Sequence, residues 1–159
     1  MKEKKNEITI TRLFNAPVKL VWKAWTEPQR FMRWWGPKDF TCPVCTSDFR
    51  VGGKYLWCMR GPDGRDYWST GVFREIIPLK RIVYTDAFAD EKGNVVPASH
   101  YGLPGENWPL EMVVTIMLEE SGGKTKMTLI HAGHPAGLMS EMATAGWNQS
   151  FDKLAESLK

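Results

Sequence analysis

The chain has 159 residues, a length that one hydrophobic core can serve, and 43% of them are apolar, which excludes a disordered polymer. Lys and Arg total 21 against 18 Asp and Glu, a net charge of +3 scattered along the sequence, so the basic stripe of a nucleic-acid binder is missing. No apolar run approaches the ~18 residues of a membrane span, no signal-peptide core follows the charged MKEKK start, and three cysteines are too few for a secreted disulfide framework, so a cytoplasmic single domain is expected.

Met1 to Asn6 are expected to fray, and Ile8 to Phe14 alternate apolar and polar residues, which predicts a half-buried strand. Pro17 opens a helix in which Val18, Val21, Trp22 and Trp25 recur at helical spacing and Lys19 and Lys23 face water. Pro28 breaks it. Phe31, Trp34 and Trp35 then suggest a second short helix that stops at Gly36-Pro37. Strand-like runs over Phe40 to Arg50 and Lys54 to Arg60 flank the turn Val51-Gly52-Gly53, a hairpin signal, and Tyr55, Trp57 and Met59 share one face.

After the turn Gly61-Pro-Asp-Gly64, strands are predicted over Tyr67 to Ile77 and Arg81 to Phe88, the second carrying Ile82, Tyr84, Asp86 and Phe88 on one side. Residues 89–109 break every pattern with Gly93, Pro97, Gly102, Pro104, Gly105 and Pro109, and read as a lid-like loop. Strands Leu110 to Glu119 and Thr125 to Ala132 follow; Met112, Val114 and Ile116 share a face in one, and Met127, Leu129 and His131 in the other. A long helix over about Leu138 to Leu158 closes the chain, with Met139, Ala143, Trp147, Phe151, Leu154 and Leu158 along one stripe.

Strands in succession followed by a helix predict an α+β fold: a curved seven-stranded antiparallel sheet around a long C-terminal helix, with two short helices after the first strand. One helix is too narrow to cover such a sheet, so twist curls the sheet and leaves an interior space suited to a small molecule. Eight Trp, seven Phe and eight Met suit a large apolar interior. The segments ITITRLFNAPVKLVWKAWTEPQRFMRWWGP, VGGKY, MRGPDGRDYWSTGVFREIIPLKRIVYTD and GWNQSFDKLAESL, in that order over nearly the whole chain, resemble the activator of heat-shock protein 90 ATPase homologues. These belong to the START-like helix-grip (SRPBCC) superfamily. The resemblance implies a helix-grip fold with a hydrophobic cavity; the superfamily includes lipid carriers, hormone receptors and polyketide cyclases.

The expected cavity wall is Tyr55, Trp57, Met59, Trp68, Tyr84, Phe88, Met112, Val114, Leu129, Trp147 and Phe151, with Asp86 and His131 as polar contacts. In the usual helix-grip order one strand separates Asp86 from His131, so a bond between them is expected to need long reach or a water. Ligand anchoring, structural hydrogen bonding and acid–base catalysis are all open to this pair. His100, Tyr101 and Trp108 either close over a ligand or pin their loop, and His134 reads as a turn residue. Cys42 and Cys45 lie three apart in a strand and are expected on opposite faces, which disfavours a zinc or thioredoxin-like pair. A turn centred near residues 51 and 52 would set Cys45 opposite Cys58, away from the cavity and near disulfide reach. Gly52-Gly53 and Gly122-Gly123 read as turns, and neither a phosphate loop, a nucleophile elbow nor a metal-binding HExxH occurs. No cofactor, catalytic residue or metal is expected. The preferred reading is binding of a hydrophobic or aromatic small molecule. A polyketide cyclase/dehydratase or hydrolase activity, and a stress-response or chaperone-interacting role, are the alternatives.

Overall fold

The computed structural model describes residues 7–103, 109–133 and 137–159, the side chains of 138 and 139 excepted. Expectations for Met1 to Asn6, Pro104, Gly105, Trp108, His134 and the Met139 side chain lie outside the described residues. The elements run β1 (Glu7–Phe14), α1 (Val18–Thr26), α2 (Pro28–Phe31), β2 (Thr41–Ser47), β3 (Lys54–Arg60), β4 (Asp66–Ile77), β5 (Arg81–Ala89), a 3-10 turn (Ala98–Tyr101), β6 (Met112–Ser121), β7 (Lys124–Ala132) and α3 (Leu138–Ser157). The predicted α+β order is the observed one.

All seven strands form one antiparallel sheet in the order β1-β7-β6-β5-β4-β3-β2. Each strand from β2 to β7 pairs with its neighbour in sequence as a meander, through short turns except between β5 and β6, which residues 90–111 connect. Only β1 is separated from its successor, and α1 and α2 carry the chain to the opposite edge.

The core lies where the inner face of this sheet meets α1, α2 and α3. Phe14, Val21, Phe31, Trp34, Tyr84, Ile116, Leu129, Phe151 and Leu154 are buried there. Burying each such side chain contributes about 1.5–3 kcal/mol, and edge-on aromatic pairs add roughly 0.5–1.5 kcal/mol. Trp25 packs edge-on against Trp34 with ring centroids 4.7 Å apart, and Phe31 stacks on Trp35 at 4.7 Å. The tryptophan-rich opening of the chain thus forms a floor beneath α3.

Three sequence expectations are corrected. The second helix is one turn, Pro28–Phe31, continued as irregular turn through Trp34; Trp34 donates its indole Nε1–H to the Ala24 carbonyl at 3.0 Å, which ties it to α1. The β2–β3 hairpin is centred on Val51: the Asp48 amide donates to the Lys54 carbonyl at 2.9 Å, and Cys45 pairs with Trp57 while Cys58 pairs with Val44. A one-residue shift of register changes the face of every side chain, so Cys45 packs toward the core and is not opposite Cys58. Finally, a bulge between Thr41 and Val44 inserts an extra residue, which brings both Cys42 and Cys45 against the core in place of opposite faces.

The described part of the long loop is pinned to the sheet. The Tyr101 hydroxyl meets the Trp68 amide, which donates to it at 3.1 Å, and itself donates to the Ala89 carbonyl. The Val96 amide donates to the Phe88 carbonyl at 2.9 Å.

Candidate functional site

Two cavities meet between α3, the turn after α2 and the central strands. The outer one, about 310 Å³, is lined by Trp35, Gly36, Pro37, Met59, Phe88, Leu103, Met142, Ala143, Gly146, Trp147 and Ser150. The inner one, about 120 Å³, is lined by Trp35, Met59, Tyr67, Trp68, Ser69, Asp86, Phe88 and Met112. Trp35, Met59 and Phe88 belong to both and mark where they meet. The outer chamber is apolar because the face of α3 that carries Ala143, Gly146, Trp147 and Ser150 presents small or aromatic groups to it. At Gly146 a Cβ would make only an ordinary contact, 3.5 Å from Pro37 Cγ, so the glycine adds space to the chamber.

The opposite rim is held by a lysine. Lys153 Nζ donates to the carbonyls of Gly36 at 3.0 Å, Pro37 at 3.3 Å and Phe40 at 2.8 Å. Burial pushes its pKa below the usual lysine range, with Cys42 and Asp39 acting the other way. Gly36, at φ +102°, ends the turn whose preceding residue is Trp35, and Lys153 fixes the segment from the other side.

A chain of polar groups links the two cavities. Trp147 Nε1–H donates to His131 Nδ1 at 3.0 Å, and His131 Nε2 lies 3.2 Å from Asp86 Oδ2. An indole nitrogen can only donate, so Nδ1 must be the acceptor, and the ring proton sits on Nε2 facing the carboxylate. The His131 side chain is 5% exposed, whereas that of Asp86 is 23% exposed and faces the inner cavity. The intervening strand β6 does not prevent the direct contact, a correction to the expectation of long reach or a bridging water. The register shows how: Val114 pairs with both Tyr84 and His131, and Asp86 pairs with Met112, so Asp86 and His131 lie on flanking strands two residues apart and meet diagonally across β6.

The predicted wall residues divide into two groups. Met59, Trp68, Phe88 and Met112 line the cavities together with Asp86, and Trp147 lines the outer one. Tyr55, Trp57, Tyr84, Val114, Leu129 and Phe151 are buried in the core behind the two cavities, and His131 lies behind Asp86. The hydroxyl of Tyr55 donates to the Thr85 carbonyl at 2.8 Å. Burial raises the pKa of Tyr55 and Tyr84 well above the ordinary phenol value, and the nearby Asp86 charge adds to this. Tyr84 Oη has no hydrogen-bond partner among the described residues.

The predicted wall left out Trp35, Gly36, Pro37, Tyr67, Ser69, Leu103, Met142, Ala143, Gly146 and Ser150. Period-two counting along β4 would have joined Tyr67 and Ser69 to the inward Phe73, but Leu103 and Met142 are rim residues that no periodicity marks. Among the described residues no group of three or more His, Cys, Asp and Glu is placed to hold a metal ion. No described helix is long and apolar enough to cross a membrane.

A family model described as "Activator of Hsp90 ATPase homolog 1-like protein" matches residues 15–159. Among solved structures, the chain is similar to protein CV1439 from Chromobacterium violaceum, with TM-score 0.79 and 30% identity over 96% of each chain. A protein from Arthrobacter aurescens superposes with TM-score 0.76 and 30% identity, covering 96% of this chain and 85% of its own. The AHSA1 (SPO3351) protein from Silicibacter pomeroyi shares the fold at TM-score 0.76 and 21% identity, over 96% of this chain and 97% of that one. No curated protein matches the chain.

Proposed function

The chain belongs to the family described as activator of Hsp90 ATPase homolog 1-like protein, a helix-grip fold of the SRPBCC type, and on that premise we propose that it binds a hydrophobic or aromatic small molecule in the paired cavities. The observation that carries this reading is the apolar outer chamber of about 310 Å³, which opens onto a smaller recess containing one carboxylate. Concave apolar space with a few placed polar groups is the usual form of a small-molecule site. The aromatic edges of Trp35, Phe88 and Trp147 would stack on the ligand body.

Acid–base catalysis by His131 has less support. Nδ1 accepts from Trp147 and the side chain is only 5% exposed, so the imidazole is poorly placed to reach a substrate proton.

The reading is tested by native mass spectrometry of gently purified protein, with extraction and identification of any released compound, beside the Trp147→Ala variant. A bound apolar compound retained by the wild type and lost from the variant is expected. An empty protein whose melting temperature is moved by no member of a hydrophobic compound panel would overturn the reading in favour of a protein partner.

A further inference from the structure

The inner cavity has a chemistry that a purely apolar ligand leaves unused. Four aromatic residues, Trp35, Tyr67, Trp68 and Phe88, and two thioethers, Met59 and Met112, line it with Ser69 beside the single carboxylate of Asp86. Among the described residues no Lys or Arg nitrogen pairs with that carboxylate, and its neighbour His131 has Nδ1 taken by the Trp147 N–H. A carboxylate facing an apolar recess is costly unless something compensates it. Aromatic faces are electron-rich and attract cations within about 6 Å, most strongly where water is excluded. Tyr67 already takes such a contact on its ring, from the Arg65 guanidinium at 5.3 Å.

Resting on the small-molecule reading above, we propose that the inner recess takes the positively charged nitrogen of an organic ammonium compound, with Asp86 as counter-charge, Trp35, Tyr67 and Phe88 as aromatic walls, and the apolar body of the ligand in the outer chamber. The volumes suit this division. About 120 Å³ is roughly four water molecules' share of liquid volume at ~30 Å³ each, room for one compact head group. The outer chamber is more than twice as large and presents no carboxylate. A substituted ammonium ion fits better than a metal cation, because one carboxylate and a set of rings and thioethers supply too few oxygen ligands for a hard ion. Trp147 and His131 then back the carboxylate, with His131 Nε2 at 3.2 Å from Asp86 Oδ2 on the side away from the ligand.

The test compares two probes of nearly identical shape, benzyltrimethylammonium and the neutral neopentylbenzene, by titration calorimetry on the full chain. The wild type is expected to bind the charged probe at least tenfold more tightly. In Asp86→Asn this preference should fall to near unity, while the affinity for neopentylbenzene stays within about threefold. Phe88→Leu, which removes one aromatic wall and leaves Asp86 and its partners in place, should lower the preference severalfold; it serves if Asp86→Asn does not fold. Equal or tighter binding of the neutral probe by the wild type would overturn the proposal and leave the small-molecule reading standing. A preference unchanged in Asp86→Asn would equally overturn it. Failure of both probes and of the whole hydrophobic panel would remove the underlying reading.

Discussion

Tyr84 and the cysteines show how burial decides the behaviour of single groups. Tyr84 is 1% exposed and its hydroxyl has no partner among the described residues, so the phenol loses its water contacts without replacement. An unsatisfied buried polar group costs about 1–3 kcal/mol, and Tyr84→Phe is therefore expected to leave stability unchanged or raise it by up to about 1 kcal/mol in urea unfolding. A loss of 2 kcal/mol would mean that the hydroxyl is in fact bonded. Burial, helped by the other two cysteines, pushes the Cys42 thiol from 9.0 up to about 12, and burial pushes Cys45 up to about 11. These folded-state values exceed those of the unfolded chain. The thiols therefore contribute stability fully below pH 9, and it is lost as pH rises toward 11, because only the unfolded chain releases the protons. The slope is at most about 1.4 kcal/mol per pH unit for each thiol. Urea midpoints at pH 8, 9 and 10 under reducing conditions should fall, and Cys42→Ala should flatten the decline. Parity in the sequence marked Asp86 and His131 as inward, yet the Trp147 bond that sets the histidine tautomer joins residues 16 apart, on a strand and a helix whose relative placement no local pattern encodes.

At the scale of elements, two glycines with the same composition value have opposite roles. Gly71 lies on β4 where the neighbouring strand comes so close that a Cβ would be 1.9 Å from the Thr85 carbonyl oxygen. The obstacle is backbone, so it cannot move aside. Gly71→Ala is expected to cost on the order of 3 kcal/mol and to lower the melting temperature sharply, by overpacking between β4 and β5. Gly146 lies within α3, where a Cβ meets only Pro37 Cγ at 3.5 Å. Gly146→Ala should add up to about 1 kcal/mol of stability through helix propensity, and the new methyl should weaken ligand binding by narrowing the outer chamber. Unchanged binding with raised stability would argue that ligands do not reach α3. The strands and helices themselves were legible, because alternation and 3.6-residue periodicity are local. The hairpin register was not. Gly53 sits under the Asp48 carbonyl, where a Cβ would be 1.9 Å away, and with the turn packed on itself the centre lies half a residue from the expected one, which turns Cys45 toward the core.

For the whole molecule, the edges of the sheet are β1 and β2. β2 carries Pro43 within a bulge, a combination that removes a donor and twists the strand, so addition of a further strand there is discouraged. A ligand that binds only the folded state stabilises it by RT ln(1 + [L]/Kd), about 2.7 kcal/mol at one hundred times Kd. For a chain of 159 residues this corresponds to a rise in melting temperature of roughly 5–10 °C, which differential scanning fluorimetry with any compound recovered from the protein should detect. A recovered compound that leaves the melting temperature unchanged at that excess would be bound outside the fold.

The sequence by itself determined the class of fold, the order and approximate limits of its elements, and which side chains point inward, because each of these follows from short-range periodicity, turn residues and the summed burial of apolar groups. It also carried the family, through motifs spread along the chain. The tertiary structure alone decided which inward residues fill space and which border it. Tyr55, Tyr84 and Leu129 share their faces with cavity residues but belong to the buried core cluster, while Met59, Asp86 and Phe88 border empty space. Whether an inward side chain meets a helix or empty space depends on the curvature of the sheet and the seating of α3, and both are set by contacts between residues far apart in the chain.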